Sequence, residues 1–163
     1  MALTIRLLGD KASLEELREM LTDRGGDPKV RAYAALSIGF LGSAGDIELL
    51  QKWYGKASKR HNTDVMRGCT LAIGMLGDAG DVDFLIGEVL TNAEEATVRG
   101  SAAIALGLMR ETTAVDKLLE VVNARSGLTV QDKAFAVAAL GYIGDKDPYP
   151  YLSQVFENCN YRI

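Results

Sequence analysis

The sequence predicts an all-α solenoid of about four and a half helical pairs. Three observations carry that prediction. Ala (20) and Leu (21) dominate a 163-residue chain that holds 3 Pro, and those two residues head the helix-propensity scale. One segment occurs four times at a spacing of about 34 residues, and a fixed period of this size marks a repeat architecture. Between the copies, apolar residues fall 3, 4 and 7 apart, the mark of one buried helix face.

Each unit reads as a helix A, a short loop and a helix B. Leu14, Leu17 and Leu21 define the first A helix, and Val30 to Gly42 the first B helix. Asp27-Pro28 starts that B helix, as an N-cap with Pro at the first helical position. Ile47, Leu50 and Trp53/Tyr54 form the second A helix, and Val65 to Gly77 the second B helix. Val82, Leu85, Ile86, Val89 and Leu90 predict a third A helix, and Val98 to Gly107 a third B helix. Val115, Leu118, Leu119 and Val122 form the fourth A helix, and Lys133 to Gly144 the fourth B helix. Leu152, Val155 and Phe156 then read as a fifth A helix, with Asp147-Pro148 at its start.

The 17 glycines look costly for helices until their spacing is read. Gly39, Gly74, Gly107 and Gly141 are equivalent, separated by 35, 33 and 34 residues. Inside the last turn of helix B, a missing Cβ lets a neighbouring helix approach closely. Gly42, Gly77 and Gly144 fall where each B helix ends, a place that favours positive φ. The third copy puts Arg110 there. Asp46 and Asp81 stand where A helices begin.

The segment Asp-Pro-x-Val-Arg-x-x-Ala-x-x-x-Ile-Gly-x-Leu-Gly at Asp27–Gly42 resembles the HEAT repeat, in the short bacterial form seen in phycobilin-lyase-related proteins. The other copies match it in part: the second has Met66 in the place of Arg31, and the fourth has Asp132-Lys133. The resemblance implies a right-handed α–α superhelix, a HEAT-like solenoid with B helices lining its concave side. Tetratricopeptide repeats share the period, but their Trp, Leu-Gly, Tyr and Pro signature is missing. The Ala-Leu-Gly segments also resemble proteasome/cyclosome repeats, a variant of the same architecture. Leu3–Asp10 reads as the tail of a helix B and Asn160–Ile163 as the start of another. The expectation is therefore one array over 1–163, cut from a longer protein, whose uncapped ends could self-associate.

Composition excludes several functions. Lys+Arg 18 against Asp+Glu 22 gives a net charge of -4, whereas nucleic-acid binders concentrate positive charge. No apolar run is long enough to span a bilayer, and no signal-peptide layout opens the chain, so a cytoplasmic setting is slightly favoured. One His, His61, cannot build a multi-ligand zinc or iron site. The paired His-Glu motifs of HEAT-type di-iron hydroxylases are missing. Cys69 and Cys159 lie too many helical layers apart to pair. The turns Gly77–Asp81 and Gly144–Asp147 lack the full calcium loop and read as helix caps. No metal, cofactor or catalytic residue is expected.

The expected function is a non-catalytic scaffold for a protein or peptide. Its candidate surface is Tyr33, Ser37 and Phe40 with their equivalents Met75, Ser101, Leu108, Phe135 and Tyr142. The competing reading packs these residues between neighbouring B helices. A basic column, Arg31, Arg99 and Lys133, is either an edge for an acidic partner or an internal ladder of the kind the resemblance implies, with Asp27, Asp64 and Glu95 as mates. Lys52, Lys56, Lys59, Arg60 and His61 form a second basic cluster, at the end of the second A helix, either functional or a solvated loop. The resemblance also admits a lyase subunit or other enzyme-associated module, and the basic edge admits weak nucleic-acid binding.

Overall fold

The computed structural model describes residues 11–144. They form eight α-helices and, among the described residues, no strand. Four A/B pairs follow in order. The first is α1 (Lys11–Thr22) with α2 (Pro28–Leu41), the second α3 (Ile47–Ser58) with α4 (Thr63–Leu76). The third A helix is a single turn, α5 (Val82–Phe84), that runs on as a π-helix over Leu85–Thr91 and pairs with α6 (Ala96–Met109). The fourth pair is α7 (Val115–Asn123) with α8 (Val130–Gly144). The expected fifth A helix, Leu3–Asp10, Asp147-Pro148, Cys159 and Asn160–Ile163 lie outside the described residues.

The starts follow the sequence. Asp27 accepts from the Lys29 N–H at 2.7 Å, and Asn62 from the Val65 N–H at 3.4 Å. Asp46 and Asp81 close short 3-10 turns that lead into α3 and α5. Their carboxylates reach back to the backbone N–H of Ser43 (3.0 Å) and Asp78 (3.3 Å), satisfying donors that a helix start leaves open. The third A helix differs from the regular α-helix its spacing predicts. Its π turns have wider i→i+5 backbone hydrogen bonds, and the Thr91 side-chain hydroxyl also donates to the Ile86 carbonyl at 2.7 Å.

Small residues in one layer and large ones in the other shape the array. A Cβ at Gly39 would stand 2.8 Å from the Ala72 Cα, and one at Gly74 2.5 Å from the Ala105 Cα. Gly107 faces Ala139 in the same way. Successive B helices therefore pack backbone to backbone, α2 on α4, α4 on α6 and α6 on α8, while successive A helices make no comparable approach. The A layer is spaced by long side chains. Tyr54 of α3 meets Phe84 of α5 edge-on at 5.6 Å between centroids. Tighter spacing on one side of a stacked array curves it toward that side, which makes the B-helix face the inner one. One apolar core, running from Leu17 to Ile143, fills the space between the layers.

The helix ends correct one expectation. Gly42 (φ -78) and Gly77 (φ -75) are extended, not left-handed. Space explains them: a Cβ at either would come within 2.7 Å of the preceding carbonyl of Ile38 or Ile73. Among these B-helix ends the left-handed residue is Arg110, φ 56, where glycine is replaced.

Candidate functional site

The candidate partner surface divides into three register columns. The middle one, Ser37, Ala72, Ala105 and Ala139, is buried, because it forms the seam where glycines of adjacent B helices press. Ser101, in the first column, is also buried, and its hydroxyl donates to the Thr97 carbonyl at 2.9 Å. Ser37 and Ser101 therefore line no open surface. In that first column Gly68 faces the Ala32 backbone, and half-buried Phe135 lies over Gly100. Tyr33 alone stands out, 70% exposed.

The third column is different. Phe40 (42%), Leu108 (43%) and Tyr142 (43%) are exposed large apolar side chains, and Met75 is half-buried. Phe40, Met75 and Leu108 rim a hollow of about 390 Å³ whose lining includes Gly39 and Gly74. It is lined by B-helix residues alone and crosses α2, α4 and α6.

The basic column does not meet the side chains of Asp27, Asp64 or Glu95; its cations reach backbone carbonyls, and Arg99 also reaches Asp132. Asp27 caps α2 and takes no arginine. Arg31, 6% exposed, donates from Nε to the Leu21 carbonyl at 3.1 Å. Arg99 donates to the carbonyls of Ala93 (2.9 Å) and Glu94 (2.6 Å), and Lys133 to that of Ala124. Each cation thus meets carbonyls at or just beyond the C-terminal end of its own A helix, where intrahelical donors run out. The second unit, with Met66 at this position, uses backbone instead: the Asn62 N–H donates to the Ala57 carbonyl at 2.9 Å.

One carboxylate mate exists, in the next unit rather than the same one. Arg99 grips Asp132 through Nε (3.0 Å) and a terminal nitrogen (2.9 Å). Burial raises the pKa of Asp132, but Arg99 and the two Thr129 donors outweigh it and hold the carboxyl below its ordinary value. Earlier junctions use the capping aspartates: Arg18 donates to Asp46 at 2.7 Å and Gln51 to Asp81 at 3.1 Å. These pairs escape a search by repeat register, because each joins an unlike position in two units.

Residues 98–124 match the model of the PBS lyase HEAT-like repeat family. The chain is a helical repeat protein that carries a HEAT-like repeat. The match covers most of α6, the following turn and α7, which is one B helix with the next A helix. No curated protein matches the chain.

Within this helical array, other reactive groups have structural settings. Cys69 is fully buried on α4, and burial pushes its thiol up to about 12. His61 sits in the α3–α4 loop at φ 51. It lines an outer groove of about 400 Å³ between α3 and the third A helix, with Tyr54, Glu88 and Glu95. No group of three His, Cys, Asp or Glu among the described residues is placed to hold a metal, and no described helix is long and apolar enough to cross a membrane. Lys56, Lys59 and Arg60 of the second basic cluster meet Arg24 and Arg31 around Trp53.

Proposed function

We propose that the chain is a non-catalytic scaffold that holds a protein or peptide partner against its inner, B-helix face. The observation that carries this reading is the apolar column Phe40, Met75 and Leu108, continued by Tyr142, around a hollow spanning three successive units. Exposed apolar surface repeated at the same register is uncommon without a role. A partner helix or extended segment meets such a row with its own apolar face. Large apolar side chains on a glycine floor give the pocketed contacts that dominate binding energy. HEAT-like modules commonly serve protein interaction. The non-catalytic part rests on the single His and two Cys of the sequence.

The test is selection of peptides from a displayed library on the whole chain, followed by F40A, L108A and Y142A. The proposal expects selected peptides to lose about tenfold or more in affinity on the triple variant, matching the loss of one to two good apolar contacts. Peptides that bind parent and variant equally place the partner surface elsewhere.

A further inference from the structure

The α1–α2 and α3–α4 loops come together at one edge of the array, away from the inner face. Between them lies a hollow of about 230 Å³. Five of its lining residues are cations: Arg24, Arg31, Lys56, Lys59 and Arg60. Trp53, Ala57 and Asn62 complete it, so no carboxylate lines it. Five of the chain's 18 Lys and Arg thus share one pocket in a protein of net charge -4. We infer that this pocket binds a phosphate-type oxyanion carrying two or more charges.

Burial and geometry support it. Arg31 is 6% exposed, yet only its Nε finds a hydrogen-bond acceptor, the Leu21 carbonyl. Its two terminal nitrogens have no acceptor among the described residues, although buried guanidinium donors are normally satisfied. Trp53 holds the cations in place: the Arg31 guanidinium carbon lies 4.8 Å and the Lys56 ammonium 4.0 Å from the ring centroid. A ring face attracts cations but does not neutralise them. None of Arg24, Lys56, Lys59 or Arg60 makes an ion pair with a described residue. Lys56 is held below its usual range, by desolvation first and then by Lys52, Arg24, Arg60 and Arg31, all of them cations.

The plain alternative is that these cations serve the C-terminus of α3. A helix end carries roughly half a negative charge, which one cation offsets and five exceed. The α3 end is also already closed by backbone: the Ala57 carbonyl accepts from Arg60 and Asn62 N–H groups, and the Gly55 carbonyl from Lys59 N–H. The side chains remain available to an oxyanion, which accepts several charge-assisted hydrogen bonds at once.

Trp53 is the sole tryptophan of the chain, so its fluorescence reports on this pocket alone. The experiment titrates the whole chain with inorganic pyrophosphate at constant ionic strength, with chloride as the reference. A saturable change is expected, weakened about tenfold or more when Lys59→Ala and Arg60→Ala are combined, as loss of two charge-assisted contacts implies. Removing an equal charge elsewhere, by Lys29→Ala with Arg67→Ala, is expected to leave the affinity within about twofold, since screening confines exposed charges to about 10 Å. A second titration compares inorganic phosphate with a phosphoserine peptide. Either order upholds the pocket: tighter peptide binding assigns the phosphoryl group to a partner, tighter phosphate binding to a free ion. No saturable response at millimolar pyrophosphate overturns the inference, as does a response that the two variants alter equally. The inner face is separate, so neither result bears on the apolar row.

Discussion

Arg99 of α6 clasps Asp132 of α8 through two nearly parallel hydrogen bonds of 3.0 and 2.9 Å, while its other terminal nitrogen closes the turn that ends the third A helix. One side chain therefore fixes both the turn inside its own unit and the register of the next. The capping aspartate used at earlier junctions is missing here, since Thr112–Ala114 occupies that turn. Asp132→Ala is expected to cost about 2 kcal/mol, because it leaves a half-buried guanidinium without its counter-charge. Urea melts of parent and variant measure it.

The same pair gives a pH dependence of defined sign. The Asp132 carboxyl is lowered in the folded chain. Its contribution is present above the unfolded value of about 4 and is lost as pH falls through the folded value. Stability is thus expected to fall below about pH 4, and less steeply in Asp132→Asn, which cannot titrate. Equal slopes for the two chains contradict this.

Glycines of different surroundings separate packing from propensity. Gly74→Ala places a Cβ 2.5 Å from Ala105 Cα and Cβ, both on a packed helix. The seam must open, at an expected cost of about 2 kcal/mol. Gly55, inside α3, has nothing within 4 Å of the same added atom. There Gly55→Ala is expected to gain up to about 1 kcal/mol from helix propensity. Thermal melts of the two variants should move in opposite directions.

The repeat, the order of helices and the close approach at Gly39, Gly74 and Gly107 were all legible in the sequence, because each follows from period and side-chain size. Arg31, Arg99 and Lys133 were legible as a column, but not their acceptors. Those are backbone carbonyls, which carry no residue signature. Gly42 and Gly77 misled for a related reason: sequence cannot tell a glycine needed for dihedral freedom from one needed for space. The pocket at Trp53 was half visible. Lys56, Lys59 and Arg60 are neighbours in sequence, but Arg24 and Arg31 join them only around Trp53 in the folded chain.

Arg31→Met copies the second unit, where Met66 occupies this position. The copy is incomplete. In the second unit the Asn62 N–H supplies the donor to the Ala57 carbonyl, whereas the described structure gives the Leu21 carbonyl Arg31 Nε. The substitution strands a buried acceptor, with an expected loss of about 2 kcal/mol. Hydrogen exchange should show the earliest opening at the end of α1. A variant as stable as the parent would mean that Leu21 is readily served by water.

Two buried acids set the alkaline limit. Burial pushes the Cys69 thiol and the Tyr54 hydroxyl up to about 12, with Glu88 adding to the effect at Tyr54. Both are raised above their unfolded values of about 8.5 and 10. Their contribution is complete below those values and is lost as pH rises toward the folded ones. Stability should therefore decline from about pH 8.5, first through Cys69 and then more steeply as tyrosine in the unfolded chain ionises. Cys69→Ala removes the first limb at the cost of a small cavity. Tyr54→Phe removes the second together with a hydrogen bond to the Glu88 carbonyl at 3.3 Å. The measurement is the urea midpoint between neutral and strongly alkaline pH for the three chains. A parent midpoint that holds level above pH 10, near the free tyrosine value of about 10, would show that neither group is kept neutral by the fold. If both groups are buried as the structure describes, alkylation mapped to Cys69 at mildly alkaline pH should proceed no faster than the seam between α2 and α4 opens.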